Sequence, residues 1–227
     1  MRLPENWALL FAVLCVTLAA LMAGAPYFSN ASQVPRGLPG PVVAVQLART
    51  VQDIDMVLGD APGPDREAAR YKQYQDFAFI PCYVGLCGAI LWSANRQIPG
   101  FKRTAMAGLL LALFAGVFDV IENLRILRLI KITLADTQLS FVQSIRFTAV
   151  SKFSAFALSA LIIGAGFLKL RQRRRAYFAI GAGAAVGGLL LLAGMLIDPL
   201  VQYGMALTAL ALVTAAVTLK WNSLYSR

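Results

Sequence analysis

The chain has 227 residues, 59% of them hydrophobic and only 14% charged, with a net charge of +10 and a mean hydropathy of +0.67. A soluble domain carries about a quarter charged residues, so the composition excludes one and points to an integral membrane protein. The cations lie between apolar runs, where they set topology, so the basic balance is not that of a nucleic-acid binder; with no histidine in the chain, histidine-dependent hydrolases are excluded as well.

A spanning helix needs about 20 mainly apolar residues. The first run, Trp7–Ala25, ends in Ala23-Gly24-Ala25, a sequence like a signal-peptidase site. Pro26 would follow the cut, and the run exceeds the h-region of a signal peptide, about 7–15 residues; both predict a retained span. The loop of residues 26–75 follows. Ser29 to Pro41 is rich in Pro, Gly and Ser and reads as irregular. Val43, Leu47, Val51, Ile54 and Leu58 then recur at helical spacing, which predicts an amphipathic helix over about residues 41–58 on the membrane face. DAPGPD (Asp60–Asp65) breaks it, and a short polar helix leads to Asp76.

Five more apolar runs follow: Phe77–Ala94, Thr104–Ile121, Ile145–Leu168, Ala176–Ile197 and Leu200–Leu219. The predicted architecture is an all-α polytopic bundle of about six spans in a single transmembrane domain, residues 1–227. Cys15, Cys82 and Cys87 lie inside apolar runs as core-filling residues, without a CxxC redox centre. Gly183-x-x-x-Gly187 predicts close helix packing, because it lies inside a span without the Lys-Ser/Thr of a phosphate loop.

Lys and Arg set the orientation. With both termini in the cytoplasm, the inner side holds Arg2, Arg96, Lys102, Arg103, the cluster Lys169 to Arg175, Lys220 and Arg227. The loop of residues 26–75 is then external and near neutral, with Arg36, Arg49, Arg66, Arg70 and Lys72 against five carboxylates. Arg125, Arg128 and Lys131 fall outside, against the trend, but the Arg171–Arg175 cluster dominates. The expected location is a bacterial plasma (inner) membrane.

Under this topology the polar groups converge on the outer side. Asp119, Glu122 and Asn123 stand at i, i+3 and i+4 near the end of the third span and share a face. Asp76 is at the mouth of the second span, where an aspartate can also serve as an N-cap. Lys152 lies about two turns into the fourth span, behind Arg146, and Asp198 precedes Pro199 in the position of a cap. Two adjacent carboxylates repel, and a nearby cation, a bound metal or a shared proton would relieve them. Lys152 is the first candidate cation and Arg125, at i+3 from Glu122, the second. Ser151-Lys152 is no nucleophilic dyad, since neighbours on a helix point about 100° apart.

The run Asp119-Val-Ile-Glu122-Asn123 resembles a D-x-x-E-N signature in a functionally uncharacterised group of bacterial multi-pass membrane proteins. VQLART (Val45–Thr50), DFAFIPCY (Asp76–Tyr83) and SKF (Ser151–Phe153) match the same group, over about the first two thirds of the chain. Where this chain has Gln46 the group often has Glu. The resemblance implies that the loop helix with Gln46, Asp76, Asp119-Glu122-Asn123 and Lys152 belong together, and it implies no activity.

Three functions remain open at this stage. A binding or transport protein would hold a small cation, a proton-coupled solute or a lipid head group in a carboxylate–lysine pocket. The absence of a visible inverted repeat or broken helix counts against a secondary transporter. A lipid-active enzyme would use Asp119 and Glu122 as acid and base, or as ligands to a hard cation such as Mg²⁺ or Ca²⁺. A structural or accessory protein would use the charges as an interhelical ion-pair network. The partner common to all three is the lipid bilayer, and no cofactor is named by the sequence.

Overall fold

The computed structural model describes residues 3–30, 40–172 and 174–225. Arg2, Arg36, Arg173 and Arg227 of the topology count, and residues 31–39 of the irregular stretch, lie outside the described residues. The described residues form eight helices and no strand: α1 (Leu3–Ala23), α2 (Pro41–Leu47), α3 (Val51–Leu58), α4 (Pro64–Gln97), α5 (Lys102–Leu129), α6 (Leu139–Lys169), α7 (Arg175–Gly194) and α8 (Pro199–Tyr225). Six of them, α1 and α4 to α8, are long and apolar enough to cross a bilayer. The protein is an all-α membrane bundle.

The spanning helices form a ring. α1 packs on α4, each later helix packs on the next, and α8 closes against α1. In lipid there is no hydrophobic force between helices, so close backbone approach matters most. The interior accordingly buries small residues such as Ala8, Ala12, Ala112, Ala115, Ala215 and Ala216. The glycines of α7 and α8 bring those backbones together as the Gly183/Gly187 spacing predicts, at Gly187 of α7 and at Gly204 of α8. A Cβ on Gly187 would stand 2.8 Å from the backbone nitrogen of Thr208, and one on Gly204 would stand 2.6 Å from that of Leu191.

Two expected elements differ. The single amphipathic helix over residues 41–58 is two helices, α2 and α3, broken between Leu47 and Val51. The break is a capping box. The Asp53 carboxylate accepts the N–H of Arg49 at 2.8 Å and of Thr50 at 3.0 Å, and the Thr50 hydroxyl accepts the N–H of Asp53 at 3.1 Å. The apolar spacing still marks the inward face, for Leu47, Ile54 and Leu58 are fully buried. Ile54, Val57 and Leu58 pack with Ala69 of α4, Ile126 and Leu129 of α5 and Ile145 of α6, so α3 sits on the bundle. Gly59 ends α3 at φ +61, a conformation that favours glycine, and donates its N–H to the Asp55 carbonyl.

The second difference is α4. The short polar helix and the second span are one helix of 34 residues, about 51 Å long at ~1.5 Å per residue. That exceeds the ~30 Å hydrocarbon layer. Its first turns therefore extend past the spans and build, with α2 and α3, a cap on one end of the bundle. Asp76 is consequently not an N-cap, because α4 starts at Pro64 with Gly63 before it.

The cap is held by two buried cations on carbonyl groups. The Arg66 guanidinium donates to the carbonyls of Gly59 (2.9 Å), Leu129 (2.9 Å), Ile130 (3.3 Å) and Ile132 (2.7 Å), closing the C-terminus of α5. Lys72 donates to Met22 at 2.7 Å and to Gly24, closing the C-terminus of α1. The last carbonyls of a helix have no partner within it and carry the negative end of its dipole, so a cation there is doubly favoured.

Candidate functional site

Six polar side chains meet where α4, α5 and α6 touch. Lys152 of α6 donates to Asp119 at 2.9 Å and to Glu122 at 2.8 Å, both on α5. Tyr83 of α4 donates its hydroxyl to the other Asp119 oxygen at 3.2 Å. Asn123 donates to Asp76 at 2.8 Å, tying α5 to α4, and Asp76 lies within hydrogen-bonding reach of Asp119. Glu122 and Asn123 are 0% exposed and Lys152 6%. The Lys152 ammonium also lies 4.6 Å from the centroid of the Phe153 ring.

Helix length sets the depth of this layer. Asp76, Glu122 and Lys152 stand roughly 26–32 Å from the far ends of their helices at ~1.5 Å per residue. One hydrocarbon thickness is ~30 Å, so the layer lies at the hydrocarbon edge beneath the α2–α3 cap. Lys152 is roughly three and a half turns into α6, deeper than the sequence suggests, because α6 begins at Leu139.

The layer opens into a cavity of about 350 Å³. Asp76, Asp119, Lys152 and the Tyr83 hydroxyl, joined as described above, give it one polar end; Gln46 is the other polar residue of the lining, and the rest is mainly apolar, including Phe79, Leu86, Phe156 and Leu212. Val42, Val43 and Gln46 of α2 cover it. Ala19 of α1 and Ala209 of α8 line it and are exposed, which marks a mouth between those helices. Glu122 and Asn123 stand behind the wall and do not line it.

Of the residues singled out from the sequence, Asp76, Asp119, Glu122, Asn123, Lys152 and Gln46 come together here, and Arg125 does not. Arg125 donates to the Ser144 carbonyl at the start of α6, so it ties α5 to α6 and leaves Glu122 to Lys152. Arg128 of the same helix covers the Phe141 ring at 5.4 Å. Asp198 is not a simple cap either, for its carboxylate pairs with Arg49 at 2.8 Å and with Arg146 at 3.4 Å. Arg146 also donates to the Leu47 carbonyl. These contacts latch the α2–α3 junction to α6 and to the start of α8.

Sequence reasoning missed Tyr83 as a site residue. The signal was present, since Tyr83 follows Asp76 by two helical turns and shares its face. Among the described residues no group of three or more Cys, Asp or Glu is arranged to hold a metal ion. The Lys152 ammonium stands between Asp119 and Glu122, within ion-pair distance of one oxygen of each.

The charges do not balance. Three carboxyl groups, Asp76, Asp119 and Glu122, face one ammonium, and among the described residues no other cation pairs with them. Glu122 Oε2 and Asn123 Oδ1 are buried without a partner. Burying unpaired charge is costly, so protons or a cationic group must complete the layer.

Fold and site define a class, a helical integral membrane protein with a polar-ended cavity at the hydrocarbon edge. No family model, curated protein or solved structure matches the chain.

Proposed function

We propose that this protein binds an amphiphile from the surrounding membrane, its apolar part in the cavity and its polar end at Asp76, Asp119, Lys152 and Gln46. The observation that carries this reading is the lining of the cavity, mainly apolar with one polar end. Ligand pockets are mainly apolar with a few convergent polar groups, and intramembrane ionisable residues mark functional sites. The mouth between α1 and α8 suits lateral entry from lipid. The site would face the outside of a bacterial inner membrane, with both termini cytoplasmic, and the group carrying the D-x-x-E-N signature would share the arrangement.

Native mass spectrometry of protein released from its own membrane tests the reading. Wild type should retain one amphiphile per chain, and Ala209→Phe, which fills the cavity from its mouth, should retain none. Equal retention by both would reject the cavity as the site.

A second reading applies to part of the layer. Lys152 bonds one oxygen each of Asp119 and Glu122 across the α5–α6 contact, which fits an ion-pair network pinning those helices. Asp76 and Gln46 are outside that pairing and are left to a ligand.

A further inference from the structure

We infer that the polar end of the ligand is a primary ammonium, so that the substrate class is a single-chain cationic amphiphile. This deepens the amphiphile reading and rests on it.

The charge count comes first. Lys152 pairs with Asp119 and Glu122 and no cation pairs with Asp76 among the described residues, so the layer holds more acidic groups than cations. Of the two carboxylates that line the cavity, Asp119 is engaged by Lys152 and Tyr83. Asp76 accepts from Asn123, has no cation partner among the described residues and is only partly buried where it lines the cavity. It is the acceptor open to an arriving donor.

Gln46 supplies a second and independent observation. It is 5% exposed and lines the cavity from α2. An amide in that position can meet a polar group that the cavity holds. Its carbonyl oxygen is an acceptor, as Asp76 is. An ammonium with three N–H donors would satisfy both and still have one for Asp119. An anionic head would instead meet Asp76 and Asp119, and a bulky quaternary head would offer no donor to either.

Size sets the rest. At about 350 Å³ the cavity is near the lower end of the range for ligand pockets, about 300–1,000 Å³. It suits one chain with a small head, not a two-chain lipid.

The test compares decylammonium, decyltrimethylammonium, decanol and decanoate as ligands of the full chain in nanodiscs, with native mass spectrometry as the readout. Decylammonium should bind about tenfold tighter than decanol or the quaternary ion, as charge-assisted hydrogen bonds require, and decanoate weakest. Asp76→Asn keeps the acceptor for Asn123 and should lose the preference for decylammonium while still binding decanol. If decanol and decylammonium bind equally in wild type, and both are lost in Ala209→Phe, the ammonium inference is overturned and the cavity reading stands. If Ala209→Phe binds every probe as wild type does, the cavity reading falls and the inference with it. Lysophosphatidylethanolamine presents the same ammonium behind a phosphate. Binding as tight as decylammonium would assign the site to a lipid head group, and weaker binding to a free amphiphilic amine.

Discussion

Arg66 and Lys152 are both buried cations, yet they are surrounded by different chemistry. Arg66 meets backbone carbonyls of Gly59, Leu129, Ile130 and Ile132, which are neutral groups with lone pairs to satisfy. Lys152 meets two carboxylates with a third close by, so one positive charge faces three groups able to be negative. The first arrangement completes a helix end through Nε and Nη1, with Nη2 buried and without a partner. The second is incomplete as it stands, and it borders a cavity while Arg66 does not. Buried charge alone therefore does not mark a site in this bundle; buried charge left unbalanced beside empty space does.

The comparison breaks most easily at Lys152. Lys152→Met leaves Asp119 and Glu122 without a cation and should cost about 3–5 kcal/mol of stability, as removing one partner of a buried pair does. Asp76→Asn should be neutral or stabilising, because it lowers the negative excess and keeps the acceptor for Asn123. Denaturant midpoints in a mild detergent read both. A Lys152→Met protein as stable as wild type, or an Asp76→Asn protein as damaged as Lys152→Met, would show that the layer is balanced after all.

The Arg66 side of the comparison predicts a smaller and more local effect. Arg66→Met should cost about 2–3 kcal/mol, the scale of charged hydrogen bonds lost from a buried site. Hydrogen exchange should quicken at Leu129 to Ile132 and in α3, and the cavity should keep its ligand preference. If ligand binding changed as much as exchange, the two clusters would be one unit.

The Asp198 latch is intermediate, an ion pair that is partly open to solvent. Arg49 is 56% exposed in its side chain against 10% for Asp198, and exposed pairs contribute little. Asp198→Asn should cost about 1 kcal/mol or less, and its main signature should be faster hydrogen exchange in α2. Unchanged exchange there would mean that apolar packing alone seats α2 over the cavity.

The sequence revealed the spans because each had to supply a long apolar run, and it revealed the D-x-x-E-N face because i, i+3 and i+4 share a side of any helix. It also pointed to Lys152, since a lysine so deep in a span needs a partner. It did not separate Arg125 from the site, because reach along one helix says nothing of the Ser144 carbonyl on the next. The roles of Arg66 and Lys72 were hidden for the same reason. In the sequence they are loop cations balancing loop anions, and only tertiary packing brings the ends of α5 and α1 to them. The break between α2 and α3 was legible locally, in Thr50 and Asp53, but the continuous apolar spacing from Val43 to Leu58 masked it.

Asp60 extends the comparison to an exposed group outside the spans. One of its oxygens accepts the N–H groups of Leu134 and Ala61, each at 2.8 Å. The Leu134 bond first, the Ala61 bond next and the nearby Arg66 charge least hold its carboxyl below the usual aspartate range. A carboxylate whose pKa is lower in the folded state binds fewer protons there than when unfolded. Its contribution to stability is therefore full above the unfolded pKa and disappears as pH falls through the folded one. Asp60→Asn removes the charge and can keep an acceptor for Leu134. The variant should be slightly less stable than wild type at neutral pH, and the two should converge in acid as Asp60 takes up its proton. Parallel denaturation series across that range decide the point. A gap that persists at the acid end would mean the side chain holds the loop by shape, and a gap absent at neutral pH would mean the helix-end cations do that work without it.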